Sequence, residues 1–220
     1  MALNKLKFSS INVTPVAGQA IKFNSSANGF ETGSAGGAMT VIKKLTASSS
    51  STLSFVDGSS DVVLDNTYKE YLFIFNNIHP STQSAFSFNG STDGGSNYNV
   101  TKTTTAFNAA HRENGSSTNL GYESTYDLAQ GTGYVSLDQE NLSTDNDNGL
   151  AGILHLFNPS STTFVKHFIS RCSHNSSSGV FCNDTYVSGY MNTTSAIDAI
   201  SFKMSSGNID SGTITLYGIN

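Results

Sequence analysis

The stretch that most constrains the fold of this chain is YKEYLFIFNNI, residues 68–78. Alternate residues of a β-strand point to opposite faces of its sheet, and here both sets are apolar. The first set is Tyr71, Phe73 and Phe75, and the second is Leu72 and Ile74. A strand that is apolar on both sides is typical of the middle of a sheet. We therefore expect a central strand that is buried on both faces.

The composition favours short strands joined by many turns. Ser, Thr, Asn and Gly make up 100 of the 220 residues, and charged residues only 12%. The 14 Phe and 9 Tyr argue against disorder, and small polar residues are common in turns. Eight or nine apolar segments are separated by such turns. This spacing predicts an all-β fold, an antiparallel β-sandwich of jelly-roll type.

Two segments carry more specific expectations. Residues 196–219, AIDAISFKMSSGNIDSGTITLYGI, contain two alternating runs separated by a Ser/Gly/Asn turn. This pattern predicts a hairpin. Residues 112–149 show the least regular pattern in the chain, and we expect long surface loops there.

The N-terminal region differs in texture from the rest. Residues 17–33, AGQAIKFNSSANGFETG, are too apolar at Ile21, Phe23 and Phe30 for a plain linker, and they include an Asn28-Gly29 turn signal. A Gly/Ser/Ala run follows and is typical of a flexible hinge. We predict that residues 1–38 are an extended attachment arm with a hinge, and that residues 39–220 are the sandwich.

Charge and hydropathy argue against several function classes. The net charge is −5 with no basic stripe, so we expect no nucleic-acid partner. No apolar run reaches 18 residues, so we expect no membrane insertion. The first residues, MALNKLKFSSINV, lack the apolar core of a signal peptide. We expect synthesis and folding in a cytosol, from which lysis would still allow the protein to act outside the cell.

No motif predicts catalysis or a cofactor. His155 and His167 fall on neighbouring predicted strands, but no third ligand completes a zinc site. The segment STDNDNG, 143–149, resembles a calcium loop but lacks the EF-hand spacing from Asp145. The acidic residues are too scattered to form a glycosidase pair. We therefore expect no enzyme activity, no metal and no cofactor.

The two cysteines, Cys172 and Cys182, flank the turn NSSSG. If the hairpin is centred on Ser177, they face each other, and a disulfide is geometrically allowed. Folding in a cytosol favours free thiols at first, and oxidation could follow release from the cell.

Several tyrosines lie in or beside loops rich in Asn, Ser and Gly, a combination that suits adaptable polar recognition. Those that we predict to contact a glycan or receptor are Tyr98, Tyr122, Tyr126 and Tyr134. The alternative interpretation is that these rings close the ends of the sandwich.

The N-terminal stretch resembles a segment found in many phage tail-fibre proteins. The matching positions are Gly18, Ile21, Phe23, Asn24, Ser25, Gly29, Phe30 and Glu31. The remainder, including LFNPSSTTFVKHF and the final SGTITLYG, is similar to small virion structural proteins of marine bacteriophages. The likeness covers nearly the whole chain.

This resemblance implies a homotrimer exposed on a virion, bound to other phage structural proteins. Its arm would attach to the particle through Ile21, Phe23, Asn24 and Phe30. A tail fibre or adhesin would contact a host-surface glycan. Two alternatives stay open, a head decoration protein that cements the capsid and a free carbohydrate-binding module.

Overall fold

The alternation of apolar and small polar residues produces β-strands throughout the structure. The structure is a computed structural model, and it describes residues 13–14, 16, 19–33, 37–176, 178 and 180–220. The chain forms two compact units, Met1–Ala38 and Met39–Asn220. The described residues form fourteen strands and no helix. The strands are β1 Ala20–Phe23, β2 Phe30–Gly33, β3 Met39–Thr46, β4 Leu53–Val56, β5 Glu70–Pro80, β6 Phe86–Ser91, β7 Lys102–Arg112, β8 Thr118–Tyr122, β9 Val135–Ser136, β10 Leu150–Phe157, β11 Lys166–Asn175, β12 Phe181–Met191, β13 Ala199–Met204 and β14 Ile209–Ile219.

The second unit is an antiparallel β-sandwich, as the sequence predicts. Its larger sheet has eight strands in the order β3-β14-β5-β10-β11-β12-β7-β8. Its smaller sheet has four strands in the order β4-β13-β6-β9. A shared aromatic core lies between the sheets. The finer expectation of jelly-roll connectivity stays a prediction.

Strand β5 occupies an interior position, between β14 and β10. On the face of β5 that is covered by the smaller sheet, the fully buried residues include Tyr71, Phe73 and Phe75. Leu72 and Ile74 point the other way and are only half-buried. The expectation of burial on both faces is therefore wrong, because only one face of the larger sheet is covered by the smaller one.

Phe202 of β13 is the centre of the aromatic core. Its ring lies 5.3 Å from the rings of both Phe73 and Phe75 in the larger sheet. It also stacks on Phe86 of β6 at 5.8 Å and meets Phe55 of β4 at 6.3 Å. These rings come from both sheets, so their packing holds the two layers together.

Residues 112–149 contribute more to the core than their irregular sequence predicts. They contain the short strands β8 and β9. Val135, Leu137 and Leu142 have at most 1% of their surface exposed. The expectation of surface loops alone is therefore wrong for 135–142, where single apolar residues are buried without a strand-length pattern.

The last two strands do not form the predicted hairpin. β13 pairs with β4 and β6 in the smaller sheet, whereas β14 pairs with β3 and β5 in the larger one. The apolar set of each strand still points into the core, from opposite sides. Alternation predicts which side chains are buried, but it does not specify the strand with which each one pairs.

Two lysines lie on the inner face of the larger sheet, which is rare because a buried ammonium loses its hydration. Lys102 of β7 and Lys166 of β11 are both opposite Met191 of β12, and both are fully buried. Lys102 Nζ donates to the carbonyl of Val100 at 2.6 Å and to Asn89 Oδ1. Burial lowers the pKa of Lys102 to about 7, so its charge depends on pH near neutrality.

Candidate binding surfaces

The N-terminal unit presents an amphipathic hairpin formed by β1 and β2. Phe23 is opposite Phe30, and their rings stack at 5.0 Å. On the other face Lys22 Nζ lies 3.4 Å from Glu31 Oε1. Ile21, Phe23 and Phe30 share the apolar face and remain 41%, 68% and 48% exposed. This apolar face holds three of the four predicted attachment residues.

The fourth predicted attachment residue, Asn24, builds the turn. Its Nδ2 donates to Asn28 Oδ1 at 2.9 Å, and its Oδ1 accepts from the Asn28 backbone N–H at 3.2 Å. The Asn24 N–H donates to the carbonyl of Gly29 at 2.9 Å, so the turn spans 24–29 and is wider than an Asn28-Gly29 turn. The Asn24 side chain is therefore hydrogen-bonded within the hairpin, where it stabilises the turn.

The outer face of the eight-stranded sheet carries a second apolar surface. The cross-strand register aligns six residues from six neighbouring strands into one row, here called the outer row. Its members, from β8 to β5, are Tyr122, Phe107, Tyr186, Arg171, Ile153 and Ile74. Phe107 and Tyr186 stack at 4.6 Å with only 6° between their planes. Phe107, Tyr122 and Ile153 are at least 40% exposed.

The charges of the outer row are neutralised within the sheet. Arg171 Nε donates to Asp184 Oδ1 at 3.0 Å, and a terminal guanidinium nitrogen donates to Oδ2 at 2.7 Å. The guanidinium carbon also lies 4.9 Å from the centre of the Tyr186 ring. A bidentate pair over an aromatic ring offsets the charge of Arg171 within the row.

A shallow groove of about 510 Å³ lies on the same face, next to the outer row. Its lining includes Thr103, Phe157, His167, Ile169, Ser188 and Tyr190. Gln130 Nε2 donates to Thr103 Oγ1 at 2.6 Å, and Asn192 Nδ2 donates to Gln130 Oε1 at 2.7 Å. The groove combines aromatic rings with hydroxyl groups.

The four predicted glycan-contact tyrosines lie in separate places. Tyr122 is in the outer row, where its hydroxyl donates to Asp127. Tyr126 packs against the core, and its hydroxyl accepts from the Glu140 N–H at 3.2 Å.

Tyr98 and Tyr134 lie near the smaller sheet. Lys203 Nζ of β13 is 4.4 Å from the centre of the Tyr134 ring, and burial raises the pKa of Tyr134. The carbonyl of Tyr98 accepts from Asn89 Nδ2 of β6 at 2.6 Å. Among the described residues, no ring contact joins either of them to Tyr122 or Tyr126. A glycan contact by all four tyrosines stays a prediction.

The two cysteines do not face each other. Cys172 is opposite Thr185, and Cys182 is opposite Asn175, so the hairpin is not centred on Ser177. Cys172 is buried and points inward, whereas Cys182 is exposed and points outward. Both thiols are free. The disulfide was allowed only if the two cysteines faced each other, and their side chains lie on opposite faces of the sheet, where they cannot be bonded.

The two histidines that were considered as metal ligands lie on the outer face. His155 Nε2 is 3.0 Å from Glu70 Oε2, and the His167 ring faces Tyr190 at 6.0 Å. In the part of the chain that the structure describes, no three His, Cys, Asp or Glu side chains converge as metal ligands. No helix within the described ranges is long and apolar enough to cross a membrane.

Comparisons with protein-family models, with curated proteins and with solved structures found no match to this chain.

Proposed function

We propose that this protein is a structural component of a bacteriophage particle, a tail-fibre-like adhesin. Residues 1–38 attach it to other phage structural proteins, and the sandwich, 39–220, is displayed toward the host surface. The observation that carries the proposal is the exposed apolar face of the N-terminal hairpin. An isolated two-stranded hairpin is marginally stable in water. It gains stability when that face packs against a partner.

This gain contributes to attachment, and further contacts must offset the free-energy cost of association. Burying the exposed parts of Ile21, Phe23 and Phe30 contributes roughly 3 kcal/mol, which is about a hundredfold in affinity. Lys22 and Glu31 on the opposite face would stay in water as an ion pair. The hairpin thus has one face suited to a particle protein and one suited to solvent.

The attachment is tested by recovering the full-length protein with purified particles. Phe23→Ser should reduce recovery at least tenfold, because it removes the most exposed ring of the apolar face. Lys22→Ser, on the opposite face of the same strand, is the matched control and should bind as the wild type does. Equal recovery of the two variants would contradict the attachment role.

The location on the particle is tested by immunogold electron microscopy with an antibody against residues 39–220. Label on the tail supports the adhesin. Label over the head favours a decoration protein, which the same hairpin would also serve, and heat release of DNA from stripped heads would then test cementing. Absence of label on any particle would overturn the virion proposal.

We further propose that copies of the chain associate, as a homotrimer, through the outer face of the eight-stranded sheet. Eight strands about 4.8 Å apart make a face roughly 34 Å wide, which is ample for the ~800 Å² that each partner buries in a stable interface. Ile169, near the middle of this face, is 52% exposed. The Arg171–Asp184 pair leaves no unpaired charge in the outer row to be desolvated.

The oligomer is tested by light scattering after size-exclusion chromatography. The wild type should have the mass of three chains, and Ile169→Lys should dissociate it while leaving the circular dichroism spectrum unchanged. Ser59→Lys, in an exposed loop of the sandwich, is the control and should stay trimeric. A monomeric wild type would overturn this interface.

A free carbohydrate-binding module is the second candidate. It is favoured by the groove, in which Phe157 and Tyr190 offer rings and Thr103 and Ser188 offer hydroxyls. Such a module would bind saccharide after residues 1–38 are deleted, and it would not be found on particles.

A further inference from the structure

A second cavity, polar and distinct from the groove, lies at one end of the eight-stranded sheet. It has a volume of about 350 Å³ and is formed where the ends of β5, β10, β11 and β12 meet the loop 146–149. Its polar lining includes Asn77, Asn146, Asp147, Asn148, Asn175 and Cys182. We call it the asparagine pocket, since four of these six side chains are amides.

A β-bulge places Asn77 in this pocket. Ile78 is opposite Leu150 and Phe75 is opposite Gly152, so β5 has one residue more than β10 over this span. Asn77 has a φ of +50°. Bulges and left-handed residues re-aim side chains and are enriched at functional sites.

Asn148 is the residue that points to a ligand. It is only 6% exposed, and neither its Oδ1 nor its Nδ2 has a hydrogen-bond partner among the described residues. Leaving a buried amide unpaired is costly, and natural structures seldom do so. A hydroxyl group can accept from Nδ2 and donate to Oδ1, so two adjacent hydroxyls would pair both atoms.

The loop that carries Asn148 is held in place before any ligand binds. His79 Nε2 lies 3.0 Å from the carbonyl oxygen of Asp145, which also accepts from the Asn148 backbone N–H at 3.0 Å. Ser143 Oγ donates to Asp145 Oδ2 at 2.9 Å. A fixed loop lowers the entropy cost of binding.

The charge of the pocket selects among ligand classes. Asp147 is the one carboxylate in the lining, and no Lys or Arg lines it. His174, at the inner wall, is neutral because burial lowers its pKa to about 4. An anion would meet Asp147 without a cation to offset it. Calcium takes six to eight oxygen ligands, usually with several carboxylates among them, whereas this pocket offers one carboxylate beside its amides. Among the described residues no three His, Cys, Asp or Glu side chains converge to hold a metal ion.

We infer that the asparagine pocket binds a neutral saccharide ring, with Asn148 hydrogen-bonded to two adjacent hydroxyls and Asp147 accepting from a further one. This inference rests on the proposed role as a host-attachment protein, for which it names the glycan site. The pocket volume lies in the range of small-ligand sites.

The experiment uses saturation-transfer NMR on the full-length protein with glucose, galactose, mannose and N-acetylglucosamine. The charged comparisons are N-acetylneuraminic acid, measured in the same way, and Ca²⁺, measured by isothermal titration calorimetry. At least one neutral sugar should show transfer, and it should slow the alkylation of Cys182 by iodoacetamide. Binding of Ca²⁺ or of the acidic sugar alone would overturn the inference, as would the absence of any neutral-sugar signal.

The decisive variant is Asn148→Leu, which keeps the shape but removes both unpaired atoms. Sugar affinity should fall at least tenfold, while the urea midpoint stays the same or rises, because no protein hydrogen bond is lost. Asn119→Leu, on the exposed edge strand β8, is the matched control and should bind normally. Unchanged sugar binding by Asn148→Leu would overturn the site.

The outcome separates this inference from the proposed function. Sugar binding without immunogold label on particles would keep the pocket and favour the free module. Label on the tail without sugar binding would keep the adhesin and remove the pocket.

Discussion

The inner and outer faces of the eight-stranded sheet are built by the same strands, yet they differ in what covers them. On the inner face Phe73, Phe75 and Phe168 pack under the smaller sheet. On the outer face Phe107 and Ile153 remain in contact with solvent. Apolar residues alone therefore do not make a core. The inner face is expected to determine stability, and the outer face to determine association.

The largest expected contrast is between two phenylalanines. Phe202→Ala removes the ring at the centre of the inner core and should cost about 3–5 kcal/mol of unfolding free energy. Phe107→Ala, on the outer face, should cost about 1 kcal/mol, mainly through its lost stack on Tyr186. Urea denaturation of both variants in the monomeric Ile169→Lys background measures the two losses without a contribution from association. Equal losses would mean that the outer face is part of the stabilising core.

A second contrast concerns the buried charge of Lys102. The folded-state pKa of Lys102 lies below that of an unfolded lysine. Above about pH 10.4 the lysine is neutral in both states and does not lower the free energy of unfolding. As the pH falls from there to 7, the unfolded state gains the proton first, and the free energy of unfolding decreases. The free energy of unfolding of Lys102→Met, relative to that of the wild type, should decrease by on the order of 3 kcal/mol from pH 7 to pH 9.5. Urea titrations at both pH values measure it. Lys69→Met, at an exposed position, should show a constant difference from the wild type.

The two cysteines provide a third contrast, on neighbouring strands. Cys172 is buried, and burial raises its thiol pKa to about 12, whereas Cys182 is exposed. Because the thiolate is the reactive form, iodoacetamide should modify Cys182 at least about a hundredfold faster. Mass spectrometry of single Cys→Ser variants measures each rate. Comparable rates in the native protein would contradict the assigned faces of β11 and β12.

The smallest expected effect is that of the outer ion pair. Arg171 and Asp184 side chains are 57% and 29% exposed, so solvent screens their attraction. In the monomeric Ile169→Lys background, where no partner chain covers the outer face, a double-mutant cycle with Arg171→Ala and Asp184→Ala should give a coupling of about 0.2–1 kcal/mol. The coupling should weaken further in high salt. A much larger value in this background would contradict the solvent exposure of the pair.

The sequence predicted the strands whose apolar pattern is long and regular. β5 lies where the apolar run 68–78 predicts a strand. The pairing of β14 with β3 and β5 could not be predicted, because it depends on contacts between residues far apart in sequence. Leu137 and Leu142 were missed for a related reason, since an isolated leucine carries no period.

The candidate sites were predicted less well than the fold. Ile21, Phe23 and Phe30 do share one face, because a strand pattern and a turn signal stand next to each other. The outer row combines residues from six strands, and only the register aligns them. The segment STDNDNG was considered for its acidic residues. The unpaired amide of Asn148 could not be predicted, because the hydrogen-bond partners of this side chain depend on the residues that the fold places around it.

The position of β14 has a consequence for biosynthesis. β14 lies between β3 and β5, yet it leaves the ribosome roughly 140 residues after β5 begins. At 5–20 residues per second this is a delay of about 7–30 s. During that time one edge of β5 is an unpaired apolar strand, the kind of edge that recruits other chains. A nascent chain halted before Ile209 should therefore aggregate, and productive folding of the sandwich is expected to be largely post-translational.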